Sequence, residues 1–148
     1  MNEQDWVGAL RRYVVVGAVA HLVWEIVQLP LYTLWRTGSL SEQVFAVLHC
    51  TGGDVLIAGA ALLIALVFVG RSGWPADGFA KVAAVTVLIG LGYTMYSEWL
   101  NTSVRRSWAY SELMPVLPFF GTGLSPLLQW VVVPAVALSA ARRGRVRG

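Results

Sequence analysis

The chain has 148 residues, of which 57% are hydrophobic and only 13% are charged. A soluble domain carries about 25% charged residues, so this composition excludes an ordinary soluble protein and predicts an integral membrane protein. The net charge is +3, but the basic residues flank apolar segments, a pattern that sets membrane topology and gives no sign of a nucleic-acid partner. The single cysteine, Cys50, excludes an internal disulfide framework.

Four apolar segments are long enough to cross a bilayer. They cover residues 9–34, 44–69, 79–100 and 126–141. Together they predict an all-α protein, a four-transmembrane-helix bundle that forms one membrane domain over residues 1–148. The acidic start, MNEQDW, lacks the basic region of a cleaved signal peptide, so we expect the first segment to persist as a helix.

The first segment contains a histidine and a glutamate within apolar sequence, AVAHLVWEIVQLPLY. On a helix this spacing places His21 and Glu25 on one face, with Gln28 one turn further along. A charge at the centre of a membrane helix costs roughly 2.5–3.5 kcal/mol on insertion scales, so such groups usually face a partner or a water-filled cavity and are functional. The alternative is a hydrogen bond that only locks two helices together.

The second and third segments carry polar residues in the same half of the membrane as Glu25. These residues are His49, Cys50 and Asp54 in the second segment, and Tyr93 and Glu98 in the third, with Asn101 following at the mouth. A rise of about 1.5 Å per residue from each helix centre places them in the outer half of the bundle. Gln129 of the fourth segment falls at a comparable depth. We therefore expect the polar groups to share one pocket.

The connection over residues 101–125 is long and rich in aromatic residues. Ordered connections of this length serve as lids or binding loops, and this composition favours a position in the membrane interface or over the bundle. Arg105 and Arg106 are expected at the mouth of the pocket, where guanidinium groups could hold an anionic headgroup. The alternative is an ordinary exposed pair at the lipid surface. Ser125, which precedes a proline, predicts the N-cap of the fourth helix.

The basic residues predict the orientation, because cytoplasmic ends of spans are enriched in Lys and Arg. With both termini inside, eight basic residues lie on the cytoplasmic side and three on the outer side. The eight are Arg11, Arg12, Arg71, Lys81, Arg142, Arg143, Arg145 and Arg147, and the three are Arg36, Arg105 and Arg106. We therefore expect an N-in, C-in protein of the bacterial cytoplasmic (inner) membrane, with the pocket facing the periplasm.

An outward-facing polar pocket beneath an apolar loop predicts a small membrane enzyme that performs acid–base chemistry on a lipid or other small apolar ligand. The expected catalytic residues are His21, Glu25, Asp54 and Glu98. The expected substrate-binding residues are Tyr93, Asn101, Arg105, Arg106, Trp108 and Gln129. In this interpretation His21 and Glu25 form the acid–base pair, and Asp54 or Glu98 is the second acid.

A metal-assisted variant is an alternative. His21, Glu25, His49 and Asp54 are ligands of the kind that zinc or iron accepts. Three such ligands with an open coordination position would form a catalytic site for a divalent metal cofactor. The sequence contains no HExxH motif.

Two further functional classes stay open. A transition-metal or proton-linked transporter would use the acidic and imidazole groups for cation capture, but the inner half of each predicted span lacks a polar relay. A structural subunit of a membrane complex would use the same polar groups to hold helices together. Membrane lipids are expected partners in every case, and so small a bundle is compatible with a homo-oligomer.

The spacing His21-x-x-x-Glu25 resembles the HxxxE of a membrane helix in the emopamil-binding (sterol isomerase) family. The resemblance covers five positions on one helix, and the spacing of Glu98 and Asn101 follows no pattern of that family. It implies that such a pair can protonate and deprotonate an apolar substrate within a bilayer.

Overall fold

The computed structural model describes residues 3–70, 72–118 and 120–143, with side chains from residue 6 onward. These residues form helices and connections without a β-strand. The helices are α1 (Glu3–Gln28), the short α2 (Leu34–Thr37), α3 (Leu40–Val69), α4 (Phe79–Trp99) and α5 (Leu124–Arg143). A 3₁₀ turn, Leu29–Leu31, follows α1, and a π-helical turn, Leu100–Val104, continues α4.

Four of these helices are long and apolar enough to cross a membrane, which confirms the prediction of an all-helical chain with four spans. Their ends differ from the predicted ends for local reasons. The first helix ends at Gln28, because Pro30 cannot donate a hydrogen bond to continue it. The second begins four residues early, because Ser39 and Glu42 form a capping box at its start. The third span runs on to Val104 through the π-helical turn, so the connection that follows it covers residues 105–123.

The four long helices form a ring in which each helix packs against two neighbours. α1 contacts α3 and α5, and α4 contacts the same two helices from the other side. The buried face of α4 repeats every four residues along Val82, Thr86, Gly90, Thr94 and Glu98. A Cβ atom at Gly90 would overlap the ring of Trp130, so glycine here lets α5 approach α4 closely.

The two halves of the bundle differ in packing. We call the half that contains the start of α1 and the end of α5 the basal half, and the half covered by residues 105–123 the loop half. The basal half contains the large buried side chains of Tyr13, Leu62, Trp74 and Leu138. The hydroxyl of Tyr13 donates a hydrogen bond to the carbonyl of Ala58 at 3.1 Å, so its one polar atom is paired. The loop half instead contains the polar groups and a cavity.

The 105–123 loop is fastened to the end of α1 by backbone pairing. Thr33 N donates to the carbonyl of Ala109, and Ser111 N donates to the carbonyl of Leu31, both at 2.9 Å. Between them Tyr32 and Tyr110 form an isolated antiparallel bridge. This pairing holds the loop across the open end of the bundle.

Candidate functional site

The side-chain amide of Gln129 lies at the centre of a buried polar cluster. Its nitrogen, Nε2, is 2.8 Å from Oδ2 of Asp54 and 3.0 Å from Oε1 of Glu25. The same nitrogen is 3.0 Å from Nδ1 of His21. Gln129 is 2% exposed, so the central side chain of this cluster is buried. One residue of α5 therefore joins two residues of α1 to one of α3. We call these four residues the Gln129 cluster.

The amide nitrogen of Gln129 faces three polar atoms. It carries two hydrogens, and two carboxylate oxygens and Nδ1 of His21 lie within 3.0 Å of it. The two hydrogens satisfy both carboxylate oxygens when Nδ1 carries the proton of the imidazole. Nδ1 of His21 lies 3.4 Å from Oδ2 of Asp54, so a proton on the imidazole can point to that carboxylate. The geometry thus joins one imidazole and two carboxylates through a single amide.

A chain of hydrogen bonds extends the Gln129 cluster toward the start of α5. Gln28 Nε2 donates to Glu25 at 2.8 Å, and the hydroxyl of Ser125 donates to Oε1 of Gln28 at 2.9 Å. The indole of Trp24 donates to Ser125 at 3.2 Å. The prediction that Ser125 is the N-cap of the fourth helix is wrong, because α5 already begins at Leu124. Its hydroxyl instead ties α5 to α1.

His21 lies beneath the cavity and does not line it. Its ring is 1% exposed and lies 5.4 Å from the ring of Trp130. Its second nitrogen, Nε2, is buried and has no hydrogen-bond partner within the described part of the chain. His21 therefore reaches the cavity only through Gln129 and Asp54.

Glu98 forms a second polar contact in the same cavity. The hydroxyl of Tyr110 donates a hydrogen bond to Oε2 of Glu98 and accepts one from the backbone N–H of Gly123 at 3.0 Å. Burial raises the pKa of Tyr110 above its ordinary value, so the phenol keeps its proton and acts as a donor. The indole of Trp108 lies near the same carboxylate. Glu98 thus connects the end of α4 to the loop.

The cavity between these groups has a volume of about 390 Å³. It brings together most of the residues predicted from the sequence. Those that line it are Glu25, His49, Asp54, Tyr93, Glu98, Asn101, Arg105, Trp108 and Gln129. Arg106, which was expected at the mouth, does not line it and adopts a left-handed backbone conformation with φ of 53°.

The helix around Gly52 and Gly53 is regular, and the two glycines leave open space beside α3. His49 consequently lies about 1.4 turns from Asp54 and points about 140° away from it. Its ring stacks on Phe45 at 5.5 Å, toward the surface of the bundle. His49 therefore lines the cavity at its rim, away from the Gln129 cluster.

The expected metal site of His21, Glu25, His49 and Asp54 is not supported. Across residues 3–70, 72–118 and 120–143, no three or more His, Cys, Asp or Glu side chains gather in a way that could hold a metal ion. The physical reason is that the amide of Gln129 stands where a cation would have to meet His21, Glu25 and Asp54.

Several residues of the site could not be identified from the sequence. Tyr110 was seen only as one of many aromatic residues in the connection, yet it holds Glu98. Trp24 and Ser125 complete the hydrogen-bond chain. Gln129 was expected as a substrate contact, whereas it is the central donor of the Gln129 cluster. Its depth, equal to that of Glu25 and Asp54, was the one signal in the sequence that pointed to this role.

Comparisons with protein-family models, with curated proteins and with solved structures found no match to this chain.

Proposed function

We propose that this chain is a small membrane enzyme that transfers a proton to or from a lipid or another apolar substrate in the cavity of the loop half. The observation that carries this proposal is the convergence of two carboxylates and an imidazole on the single amide of Gln129. Groups that share a proton in a poorly solvated site are suited to general acid–base catalysis. The two carboxylates line a cavity of about 390 Å³, which gives a substrate access to them.

We assign a role to each residue from its position relative to the cavity. Glu25 and Asp54 line the cavity and serve as the acid–base groups that exchange a proton with the substrate. His21 lies behind them and holds the proton between turnovers, so it supports the reaction without touching the substrate. Glu98, held by Tyr110, is a second acid at the loop side of the cavity. Arg105 at the rim contacts an anionic group of the substrate.

The shape of the cavity supports an amphiphilic substrate. Tyr93 lines the cavity and is also 45% exposed on the outer surface of the bundle, so one wall opens toward the lipid. Apolar side chains of Leu34, Val47 and Ile57 line the cavity together with the polar groups. A lipid could therefore enter sideways between helices and bring a polar end to Glu25 and Asp54.

The proposed orientation is N-in and C-in in the bacterial cytoplasmic membrane. The excess of basic residues near the basal half supports this orientation by the positive-inside rule. The loop half and its cavity then face the periplasm.

A proton-linked transporter is the second candidate, since the Gln129 cluster could also carry a proton. Tyr13, Leu62, Trp74 and Leu138 fill the basal half below that cluster. This packing weighs against a continuous polar path through the bundle. Reconstitution into vesicles that enclose a pH-sensitive dye would detect such a path as a proton flux.

The enzyme is tested in membranes that contain the overproduced protein. The membranes are incubated in D₂O, and their lipids are extracted and compared by mass spectrometry. We expect the wild type to deuterate or consume at least one lipid species, and Glu25→Gln and Asp54→Asn to abolish that change. Both variants keep an acceptor oxygen for Gln129, so they should fold. Tyr96→Phe, at an exposed site outside the cavity, is the matched control. Equal lipid profiles for the wild type and both variants, together with wild-type stability, would instead favour a structural role.

A further inference from the structure

A second cavity opens on the lipid-facing surface of the basal half, between α1 and α5. Its volume is about 670 Å³. It is lined by Arg12, Ala135, Val136, Ser139, Ala140 and Arg143. None of these residues belongs to the cavity of the loop half. We call it the basal cleft.

The basal cleft changes in polarity along its length. Ala135 and Arg143 are eight residues apart on α5, which corresponds to about 12 Å along the helix axis. The deep end is therefore apolar, and the end near the membrane surface carries two guanidinium groups. This gradient matches a phospholipid, which has an acyl chain below and a charged phosphate above.

Arg12 is placed to receive an anion. Its Nη2 donates to the carbonyl of Ala141 at 3.2 Å, which satisfies one of the free carbonyls at the end of α5. A guanidinium has five N–H donors, and Nε makes no hydrogen bond to the described residues. A Cβ atom at Gly8 would lie 3.3 Å from Nη1 of Arg12, so the side chain extends toward the start of α1 and the membrane surface.

We propose that the basal cleft binds one anionic phospholipid. Its phosphate lies against Arg12 and Arg143, and an acyl chain follows Ala135 and Val136. Basic pockets between membrane helices are a recurrent way of holding anionic headgroups. This site is independent of the acid–base site, because the two cavities lie in opposite halves of the bundle.

The test is native mass spectrometry of the full chain in detergent, titrated with dioleoyl-phosphatidylglycerol or with dioleoyl-phosphatidylcholine. We expect the wild type to retain one phosphatidylglycerol in preference to phosphatidylcholine. Arg143→Gln should weaken that retention about fivefold, the effect of one basic residue at an anionic surface. Ser139→Leu should also weaken it, because the larger side chain fills the basal cleft without a change of charge. Both positions are exposed, so the helix packing should survive.

Arg11→Gln is the matched control. Arg11 is exposed, adjacent to Arg12, and does not line the basal cleft, so the variant has the same net charge as Arg143→Gln. Equal weakening by both charge variants would overturn the proposal, since it would mean a general surface attraction. Equal retention of both lipids, or an unchanged affinity in Ser139→Leu, would also overturn it. Displacement of phosphatidylglycerol by millimolar inorganic phosphate would identify a free anion as the ligand and exclude the lipid.

Discussion

Replacing Tyr110 with phenylalanine tests how the loop is fastened over the cavity. The phenol donates to Glu98 and accepts from the backbone N–H of Gly123. The substitution removes both hydrogen bonds but keeps the ring, which lies 5.5 Å from the ring of Tyr32. A hydrogen bond contributes about 0.5–1.5 kcal/mol to stability, and Tyr110 makes two. We therefore expect Tyr110→Phe to lower the free energy of unfolding by about 1–3 kcal/mol.

The measurement is reversible unfolding in mixed micelles by titration with sodium dodecyl sulfate, followed by circular dichroism. Tyr96→Phe is the control, because Tyr96 is exposed and its ring lies beside Trp99 at the surface. The control should change the free energy of unfolding by less than about 0.5 kcal/mol. If Tyr110→Phe behaves like this control, the hydroxyl does not hold the loop, and the role assigned to the contact between Tyr110 and Glu98 is wrong.

Two further predictions concern helix packing and the surface of the loop. Gly90→Ala should lower the free energy of unfolding by about 1–3 kcal/mol, because its Cβ atom would overlap the ring of Trp130. Gly92→Ala should not lower it, because a Cβ atom there meets nothing within 4 Å; equal values for the two variants would contradict the packing argument. The pKa of Glu112 should lie below 4.5, because its own backbone N–H and then Arg36 favour the carboxylate, and it should rise in Arg36→Gln when followed by NMR. Any stability from this pair is present above pH 4.5 and is lost as the pH falls through the lowered pKa.

Much of the fold could be predicted from the sequence, because hydropathy identifies the spans and the helix rise gives the depth of each residue along a span. Counting residues from each helix centre placed Glu25, Asp54 and Gln129 at similar depths, and the structure brings all three together. Depth alone does not say which helices are neighbours. The ring order, in which α1 contacts α5 and α3, decides that Gln129 stands between the two carboxylates.

The contacts of the loop could not be predicted, because no regular spacing of residues along the chain determines them. Tyr110 reaches Glu98 only because residues 109–111 pair with the backbone after α1. No spacing in the sequence encodes such pairing between segments about 80 residues apart. The metal hypothesis was unsupported for a related reason. Residue types suggested a ligand set, whereas the position of one neutral amide, Gln129, decided what the carboxylates meet.

The position of Gln129 on the last long helix has a consequence for how the protein is made. A chain is synthesised from its N-terminus, so α1 and α3 leave the ribosome before α5 exists. Until then Glu25 and Asp54 must enter the bilayer without the amide that joins them. The Gln129 cluster therefore forms only once α5 has been made, and a ribosome that stalls before residue 129 would leave two acidic groups in the membrane without that partner.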